Sequence, residues 1–403
     1  MDHAHTDNHS SDRFDVIILG AGAAGLYCAL TAASRKIRVL VLEQLAKPCI
    51  RVRASGGGKC NFSNTSVTPD NYYSDNPHFC KSALARFQTN HFLSLLKKHG
   101  IKWTERENGR LFLSGTATGI AEMLIRNNRE LGTIIRCGVC VQGVEKSGNI
   151  FKISTTAGEF TTPALITATG GLARKELGAS GVANKIAANF GISVILVKPA
   201  LVPFTLSKRV YNGSLSGISI DAEISCGRKK FRDALLFTHR GISGPAGLQA
   251  SLYWKDNMPV TINMLPDNKA EKLLAAEKHK GSRISPKTIL GRVLPKRLVS
   301  FFAENDDWNC RTGSLAPVQI DRIAGIIHRW TIVPEGTEGF EKAEVSRGGV
   351  STAGISSRTM ECLTVPGLYF IGEALDVTGM LGGYNLHWAW ASGHAAGSAV
   401  PRG

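Results

Sequence analysis

The junction between an apolar run and a glycine-rich turn constrains the fold more than any other part of the sequence. Residues 16–19 read VIIL, and they lead directly into GAGAAG at residues 20–25. The Ala- and Leu-rich text up to about Ser34 predicts a helix, and residues 38–43, RVLVLE, predict a second strand. Continuous apolar runs are typical of parallel strands buried on both faces. The sequence therefore predicts a βαβ unit within an α/β domain.

The glycines of this unit match a dinucleotide-binding fingerprint. Gly20 allows a tight turn, Gly22 lets the backbone approach a pyrophosphate, and Gly25 lets the helix pack closely on the strand. The N-terminus of the helix offers unpaired N–H groups to phosphates. Glu43 is in the position of an acid that accepts hydrogen bonds from ribose hydroxyls, which disfavours a 2′-phosphate. FAD and NAD are the remaining candidates.

Two later segments favour FAD. An apolar strand ends in Ala168-Thr169 and is followed by Gly170 and Gly171, which would let the chain pass close to a cofactor. Residues 365–373, VPGLYFIGE, read as a turn and a buried strand ending in Gly-Glu, with Asp376 shortly after. In two-element flavoproteins such a strand brings an acid near the ribityl chain and the pyrophosphate. No second fingerprint follows a strand, so no separate nicotinamide-binding domain is expected.

The sequence has an excess of basic residues that the cofactor-binding motifs do not explain. The 403 residues include 48 Lys and Arg against 32 Asp and Glu, a formal net charge of +16. Such an excess suits an anionic partner such as nucleic acid, a membrane surface or a phosphate-bearing ligand. Residues 267–312 carry ten basic against six acidic residues, but no aromatic interleaving or RNA motif accompanies them. A solvated surface is the favoured reading, and nucleic-acid binding is kept as an alternative.

The sequence shows no pattern typical of a signal peptide or a membrane helix. No apolar stretch reaches the roughly 18 residues of a membrane helix, and the polar residues 1–13 predict a disordered tail. Nine scattered cysteines lack the spacing of a disulfide scaffold, which predicts a cytoplasmic protein. Cys137 and Cys140 form a lone C-x-x-C within strand-like text, so no metal site is predicted. The oligomeric state is left open.

The organisation along the chain predicts one α/β domain interrupted by a long insertion. Residues 14–198 and 343–403 carry the glycine-rich strand and turn text of the two parts of this domain. Residues 199–342 form the insertion, with a β-barrel-like part at about 199–265 and 313–342 and a helical part at about 266–312. Residues 82–100 have the periodicity of a helix, and a final helix is expected over 385–399.

Four ordered motifs make the sequence resemble a known family. They are the fingerprint with Glu43, SGGGKCNFSN at 55–64, LFTHRGISGP at 236–245, and the C-terminal series from GGV at 348–350 to GGYNL at 382–386. Over residues 14–400 the chain is similar to the BaiN-like (YhiN-type) family of FAD-dependent oxidoreductases. The resemblance implies a Rossmann-like FAD-binding domain interrupted by a β-barrel-like and a helical part.

The expected cofactor site follows from these motifs. The triple glycine at 56–58, flanked by Arg53 and Lys59, would wrap anionic groups through backbone N–H donors. The GGYN motif would direct a helix N-terminus at the flavin, where reduction places negative charge. By resemblance, Val141 would contact the adenine. The predicted FAD-binding residues are Gly20, Gly22, Ala23, Ala24, Gly25, Glu43, Arg51, Ser55, Gly56, Gly57, Gly58, Lys59, Cys60, Asn61, Val141, Thr169, Gly170, Gly171, Gly372, Glu373, Asp376, Gly382, Gly383, Tyr384, Asn385 and Leu386.

The expected reaction is hydride transfer through flavin N5. NADH or NADPH would bind transiently as donor, and an enone or a similar unsaturated small molecule would be the acceptor. Tyr384 and His239 are the predicted catalytic proton donors, and His387 is a weaker candidate. Two alternatives stay open: a nucleic-acid-binding or RNA-modifying flavoprotein that uses the basic insertion, and an oxygen-consuming flavin oxidase.

Overall fold

The computed structural model describes residues 14–304 and 308–402, so the predicted tail at 1–13 lies outside the described residues. The chain divides into two compact units, with boundaries between Lys198 and Pro199 and between Glu344 and Val345. The first unit holds the chain on either side of these boundaries, and the second holds Pro199–Glu344. Among the described residues, no helix combines the length and apolarity that a bilayer crossing requires.

The strands are numbered here in chain order. They are β1 (Val16–Leu19), β2 (Val39–Glu43), β3 (Asn61–Asn64), β4 (Tyr72–Tyr73), β5 (Trp103–Arg106), β6 (Arg110–Leu113), β7 (Ile134–Cys137), β8 (Val141–Ser147), β9 (Ile150–Thr155), β10 (Gly158–Thr162), β11 (Ala164–Thr167), β12 (Val194–Ala200), β13 (Phe204–Thr205), β14 (Ser219–Cys226), β15 (Lys229–Phe237), β16 (Gly241–Ser243), β17 (Val260–Asn263), β18 (Trp330–Ile332), β19 (Gly336–Thr337), β20 (Val345–Val350), β21 (Leu368–Phe370) and β22 (Thr378–Gly379).

The helices follow the same order. They are α1 (Ala23–Ala33), α2 (Ile50–Ala54), α3 (Lys81–Arg86), α4 (Thr89–Lys98), α5 (Thr118–Glu130), α6 (Val182–Asn189), α7 (Gly244–Tyr253), α8 (Ala270–His279), α9 (Pro286–Leu290), α10 (Lys296–Ala303), α11 (Pro317–His328) and α12 (Tyr384–Ala399).

A parallel sheet of order β21-β11-β1-β2-β7 forms the centre of the first unit. Every residue of β1, β11 and β21 is buried, as their continuous apolar text predicts. The β1–α1–β2 connection is the predicted βαβ unit. The carboxyl ends of these strands share one edge, which is where open α/β sheets bind ligands. The predicted α/β fold class with a Rossmann-type domain is confirmed.

Helices α1 and α12 pack directly on each other because glycines line their contact. A Cβ at Gly393 would lie 2.7 Å from the Ala24 carbonyl oxygen, and one at Gly397 would lie 2.6 Å from that of Cys28. The close approach places α12 directly against α1, although about 350 residues separate the two helices in the sequence.

Smaller antiparallel sheets surround the parallel one. Strands β8, β9 and β10 form the meander expected from the text, and β3, β6 and β5 form a three-stranded sheet in that order. The single helix expected over 82–100 is instead two helices, α3 and α4. The first helix ends at Arg86 because Phe87 is not helical (φ −132°, ψ 88°), and Gln88, with an extended backbone (φ −87°, ψ 164°), is the N-cap of the second.

Strands β12 and β20 form a two-stranded ribbon where the chain passes between the units. Ser351 N–H donates to the Ser193 carbonyl at 2.9 Å, and a Cβ at Gly348 would overlap the Leu196 carbonyl oxygen. The pairing therefore runs antiparallel, because the residue numbers on one strand fall as those on the other rise. The outgoing and returning segments of the chain are neighbours.

The second unit is built on an antiparallel sheet of order β18-β17-β14-β15-β16-β13-β19. Helices α8, α9 and α10 form the expected helical part. Helical structure also continues beyond it, because α11 occupies Pro317–His328, where β-like text was predicted. Its inward residues Ile320, Ile323 and Ile327 are β-branched, which raised their strand propensity, but their spacing is that of one helix face.

Candidate active site

The fingerprint turn lies between β1 and α1 at the carboxyl edge of the parallel sheet. Gly20 has φ +105°, and a Cβ there would lie 2.5 Å from the Ala168 carbonyl oxygen. A Cβ at Gly25 would overlap the Gly20 carbonyl oxygen, so α1 packs on the turn only without a side chain there. At Gly22 a Cβ would meet nothing within 4 Å. The packing of the protein therefore requires glycine at 20 and 25, whereas Gly22 leaves open space beside the turn.

The positive end of the α1 helix dipole, its N-terminus, has no side-chain cap and no acidic residue beside it. Gly22 is its N-cap, no side chain caps the helix, and no acidic residue lies in its first turn. The backbone N–H groups at Ala23 and Ala24 thus belong to the first turn, where a helix has no internal acceptors. Such an end attracts phosphate oxygens.

Glu43 ends β2 and faces the same turn. Its Oε2 accepts the Ala21 N–H at 2.8 Å and its Oε1 accepts the Leu45 N–H at 2.9 Å. The carboxylate is therefore fixed in orientation, and each oxygen retains acceptor capacity for a hydroxyl. The chain returns past this residue, since Val139 N–H donates to the Glu43 carbonyl at 2.9 Å. Val141, the predicted adenine contact, begins β8 two residues later.

The triple glycine forms an ordered turn between α2 and β3. Ser55–Gly58 make one 3-10 turn in which all three glycines have positive φ. A Cβ at Gly56 would lie 2.9 Å from the Asn61 N atom, whereas Gly57 and Gly58 face open space. Lys59 is exposed. The turn presents backbone amides and a cation on one exposed edge.

Cys60 follows this turn and is buried. Burial raises the pKa of its thiol to about 11, with a Ser55 hydrogen bond opposing the rise. The side chain is therefore a neutral thiol at neutral pH, and it lacks the thiolate that nucleophilic chemistry requires.

Arg51 and Glu373 form an ion pair across 322 residues of sequence. The Arg51 Nη1 lies 2.6 Å from the Glu373 Oε2, and the Glu373 Oε1 accepts from the N–H and hydroxyl of Ser346 at 2.8 and 3.0 Å. Gly171 lies against this cluster, because a Cβ there would overlap the Ser346 Oγ. Gly170 has φ +73° and faces Arg51. Sequence reasoning missed Ser346; its only signal was the adjoining Arg-Gly-Gly.

Asp376 is a buried carboxylate with one unsatisfied oxygen. Its Oδ2 accepts from the Asp75 N–H at 2.8 Å and from the Ser74 hydroxyl at 3.3 Å, while its Oδ1 has no hydrogen-bond partner among the described residues. Burial raises the pKa of Asp376. The hydroxyls of Thr167 and Thr169 are likewise buried without partners in the described structure. Unsatisfied polar atoms at a ligand edge are expected where a polar ligand completes them.

The N-terminus of α12 is held by side chains from several parts of the first unit. Asn64 donates from Nδ2 to the Gly382 carbonyl at 3.1 Å, and the Asn61 amide, oriented by its neighbours, accepts the Gly383 N–H at 3.0 Å. Asn385 exchanges two hydrogen bonds of 2.8 Å with Gly379. Gly383, the N-cap, has φ +92°, and no acidic residue lies in the first turn. Asn64 is a second residue whose role sequence reasoning missed.

Tyr384 begins α12 and is 8% exposed. Burial raises the pKa of its hydroxyl, and the nearby positive charge of Arg110 opposes the rise. The phenol is therefore protonated at neutral pH and stands at the helix end. Leu386 lies in the same first turn and packs against the core.

The other two predicted proton donors differ in position: His387 lies in the first turn of α12, and His239 lies in the second unit. His387 is fully buried: its Nε2 faces the Phe87 carbonyl at 3.1 Å and its Nδ1 the Ser63 hydroxyl at 2.8 Å. A carbonyl only accepts, so Nε2 carries the proton, and burial lowers the pKa of His387 to about 4. His239 is an exposed residue of the second unit, in the turn between β15 and β16. Every other predicted site residue belongs to the first unit.

The charge does not single out the insertion. Residues 199–344 hold 21 Lys and Arg against 15 Asp and Glu, and the rest of the chain holds 27 against 17. The net charge per residue is thus nearly equal in the two parts. The basic balance is a property of the whole chain.

The residues of the first unit fit FAD. The first unit offers two helix N-termini without acidic residues, a fixed acid at Glu43, open space at Gly22, Gly57 and Gly58, and unsatisfied polar atoms at Thr169 and Asp376. The α1 turn, Glu43 and Thr169 lie at the carboxyl edge of its parallel sheet. The fold and site define an FAD-dependent oxidoreductase of the Rossmann type.

Comparison with known proteins gives the family. The model of the HI0933-like protein Rossmann domain matches residues 14–399. Ribosomal RNA dihydrouridine synthases of Haemophilus influenzae and Escherichia coli are 44% and 42% identical, covering 96% and 95% of this chain and 98% and 97% of their own lengths. The 3-dehydro-bile acid delta(4,6)-reductase of Clostridium scindens is 30% identical over 95% of this chain and 98% of its own. The chain belongs to the HI0933-like family, which confirms the flavoprotein family expected from the motifs.

Proposed function

We propose that this flavoprotein reduces the C5=C6 double bond of a uridine base in ribosomal RNA. The observation that supports this most is the identity of 42–44% to two proteins named as ribosomal RNA dihydrouridine synthases, which extends over both units. Ribosomal RNA is a polyanion, which also suits the excess of basic residues over the whole chain. On this proposal the protein works in the cytoplasm, where ribosomal RNA is made in bacteria.

Reduction of uridine is consistent both with the expected enone-like acceptor and with the alternative of an RNA-modifying flavoprotein. The uracil C5=C6 bond is conjugated to the C4 carbonyl, so C6 is the electrophilic carbon of an enone-like system. Hydride adds to C6, the electron pair moves toward the carbonyl, and a proton adds to C5. The bile acid reductase is named for reduction of a similar conjugated system. An RNA base is thus one member of the acceptor class expected from the sequence.

The chain's own residues would hold the cofactor and stabilise charge. The α1 N-terminus, the amides of Gly57 and Gly58, and Lys59 would bind the pyrophosphate, while Glu43 would orient the ribose. When bound, FAD supplies the hydride chemistry, with NADH or NADPH as the proposed external donor. The α12 N-terminus would stabilise negative charge on the reduced isoalloxazine.

Tyr384 is the proposed proton donor. Its phenol is protonated at neutral pH, stands at the α12 N-terminus, and has the positive charge of Arg110 near it, which would stabilise a phenolate after proton loss. Tyr384→Phe should lower turnover about a hundredfold or more and leave bound flavin unchanged, because only the proton is removed. An unchanged turnover would reject this role and direct attention to His239, tested in the same assay as His239→Gln.

The proposed reaction is tested on unmodified RNA. Purified, FAD-loaded protein is incubated without oxygen with NADH or NADPH and ribosomal RNA transcribed in vitro. Nucleoside mass spectrometry should then show dihydrouridine, which is heavier than uridine by two hydrogen atoms. A Gly383→Ala protein serves as the inactive control, since its site geometry is disturbed.

The competing candidate is reduction of a free steroid enone, favoured by the 30% identical reductase. The same protein is offered a 3-keto-4,6-diene steroid in place of RNA. Steroid reduction without any dihydrouridine in the transcript would replace the proposal with the small-molecule reading. If neither product forms, the same protein is given NADH or NADPH in aerated buffer, where rapid oxygen consumption would favour the oxidase alternative.

A further inference from the structure

The three-stranded sheet β3-β6-β5 carries a basic and aromatic face next to the proposed flavin site. In β6, Leu111 and Leu113 are buried, while Arg110 and Phe112 are only partly buried and lie on the opposite face. The register pairs Arg106 with Arg110 and Thr104 with Phe112, which puts these four side chains on one face. We call it the Arg–Phe face: Thr104, Arg106, Arg110 and Phe112.

This face is directed toward the proposed active site. Asn61 pairs with Phe112 in the register, and its amide reaches the Gly383 N–H at the start of α12. The ring of Phe112 also borders the triple-glycine turn, since a Cβ at Gly56 would lie 3.2 Å from its Cε1. The charge of Arg110 acts on the Tyr384 hydroxyl. The Arg–Phe face therefore borders both proposed cofactor-binding elements.

The chemistry of the face is suited to nucleotides. The Arg106 guanidinium lies over the Phe112 ring, 4.3 Å from its centroid, and is exposed. Within the described residues, Arg106 forms no ion pair. Unpaired bases stack on aromatic rings and on Arg guanidinium planes, and the same cation neutralises phosphate. A free steroid offers neither a phosphate nor a series of bases.

We propose that the Arg–Phe face binds the RNA strand beside the target uridine, with a neighbouring base stacked on the Arg106–Phe112 pair. The proposal rests on the proposed function and names the part of the site that selects RNA over small enones. Arg106 and Phe112 are positioning residues: they hold the strand so that the target base enters the site. The charge complementarity between two arginines and a phosphodiester chain identifies the occupant.

The test compares RNA binding with small-molecule turnover. The probe is a uridine-containing single-stranded RNA of about 12 nucleotides, titrated with FAD-loaded protein over a series of salt concentrations. Arg106→Ala should weaken binding about tenfold to a hundredfold and reduce the slope of log K against log salt by about 0.7. Phe112→Leu should weaken binding by a similar factor with an unchanged slope, because it removes stacking but no charge.

Turnover on the ribosomal RNA transcript gives a second measurement. Arg106→Ala should raise KM for RNA and leave kcat, bound flavin and the rate of NAD(P)H-dependent flavin reduction unchanged. Arg106→Lys should restore the salt slope but not the full affinity, since an ammonium is not a planar stacking surface. A purely structural role for Arg106 would instead show as lower thermal stability and loss of flavin.

Arg38→Ala is the matched control. Arg38 is also exposed in the first unit and lies over a phenylalanine ring, Phe14, at 5.8 Å, but it precedes β2 at the amino edge of the parallel sheet. It should bind RNA as the unaltered protein does. If the unaltered protein makes dihydrouridine and Arg106→Ala keeps its affinity, slope and KM, the Arg–Phe face is not the binding surface. If the unaltered protein makes no dihydrouridine and binds no RNA, the proposed function itself is rejected, and the Arg–Phe face with it.

Discussion

Two helix N-termini meet the proposed FAD site, and they are built in opposite ways. At α1 the N-cap Gly22 has an ordinary φ of −83°, no side chain caps the helix, and a Cβ would face open space. At α12 the N-cap Gly383 has φ +92°, a Cβ would overlap the Ser63 carbonyl oxygen, and asparagine side chains hold the turn. One helix end is free toward a ligand, and the other is fixed by the protein.

The difference assigns different tasks to the two ends. A phosphate needs only exposed amides and positive potential, so an open end is sufficient at α1. Charge that develops during a reaction is stabilised best by groups that do not reorganise, and the fixed end at α12 has that property. Substitutions at the two ends should therefore affect different quantities: flavin affinity at α1, and stability at α12.

Gly383→Ala should give the largest effect. The added Cβ overlaps the Ser63 carbonyl oxygen and the backbone keeps a left-handed φ, so we expect the free energy of unfolding to fall by about 4 kcal/mol. Urea denaturation measures this change. Gly132→Ala is the control, since it has φ +81° and no neighbour within 4 Å; it should cost only about 1 kcal/mol. Equal costs would show that the Ser63 segment moves aside freely.

The acid sensitivity of the α12 end should be the next largest effect. His387 is neutral when folded, because burial lowers its pKa to about 4, whereas the unfolded chain binds the proton near the ordinary value of 6.5. Stability is therefore complete above pH 6.5 and falls as the pH drops toward 4, by about 3 kcal/mol for this residue. His387→Gln should remove that part of the slope in urea denaturation at several pH values.

A second histidine of α12 contributes to the remaining slope. Burial also lowers the pKa of His394, further along α12, and the charges of His91 and Arg86 lower it as well. The His387→Gln protein should thus keep a smaller acid dependence. An unchanged pH profile in that variant would mean that His387 is not the group that resists protonation.

Gly22→Ala should have the smallest effect on folding. Its φ is accessible to alanine and the Cβ meets no protein atom, so the free energy of unfolding should change by less than about 1 kcal/mol. The methyl group would instead occupy the space proposed for the pyrophosphate, and FAD affinity should fall about tenfold or more, measured by flavin titration. Gly119→Ala, in the first turn of α5, is the control and should keep full affinity. Unchanged FAD affinity in Gly22→Ala would place the pyrophosphate elsewhere.

The sequence predicted those parts of the fold that are specified by short-range sequence patterns. The β1–α1–β2 unit was readable because a buried parallel strand, a glycine turn and an Ala-rich helix each have a local signature. The helix break at Gln88 was not readable, since apolar spacing runs on through both α3 and α4. In α11, the β-branched residues of the buried face raised the strand propensity, although Pro317 at the first helical position is typical of a helix start.

The candidate site divides in the same way. The glycine loops were visible as loops, but the reason for each glycine was not: Gly171 leaves room for Ser346, while Gly22 faces open space. The Arg51–Glu373 ion pair joins residues 322 positions apart, and no local pattern reports such a pairing. The roles of Asn61 and Asn64 depend on the return of the chain at Gly382, which tertiary packing alone decides.

The β12–β20 ribbon has a consequence for engineering. Since the chain leaves along one strand and returns along its antiparallel neighbour, the two cut points around Pro199–Glu344 lie about one strand spacing apart, roughly 5 Å. A tight hairpin turn could join them without stretching the ribbon. The second unit is therefore an insertion whose two ends are adjacent, and a variant with a short turn in its place would keep β12 and β20 paired.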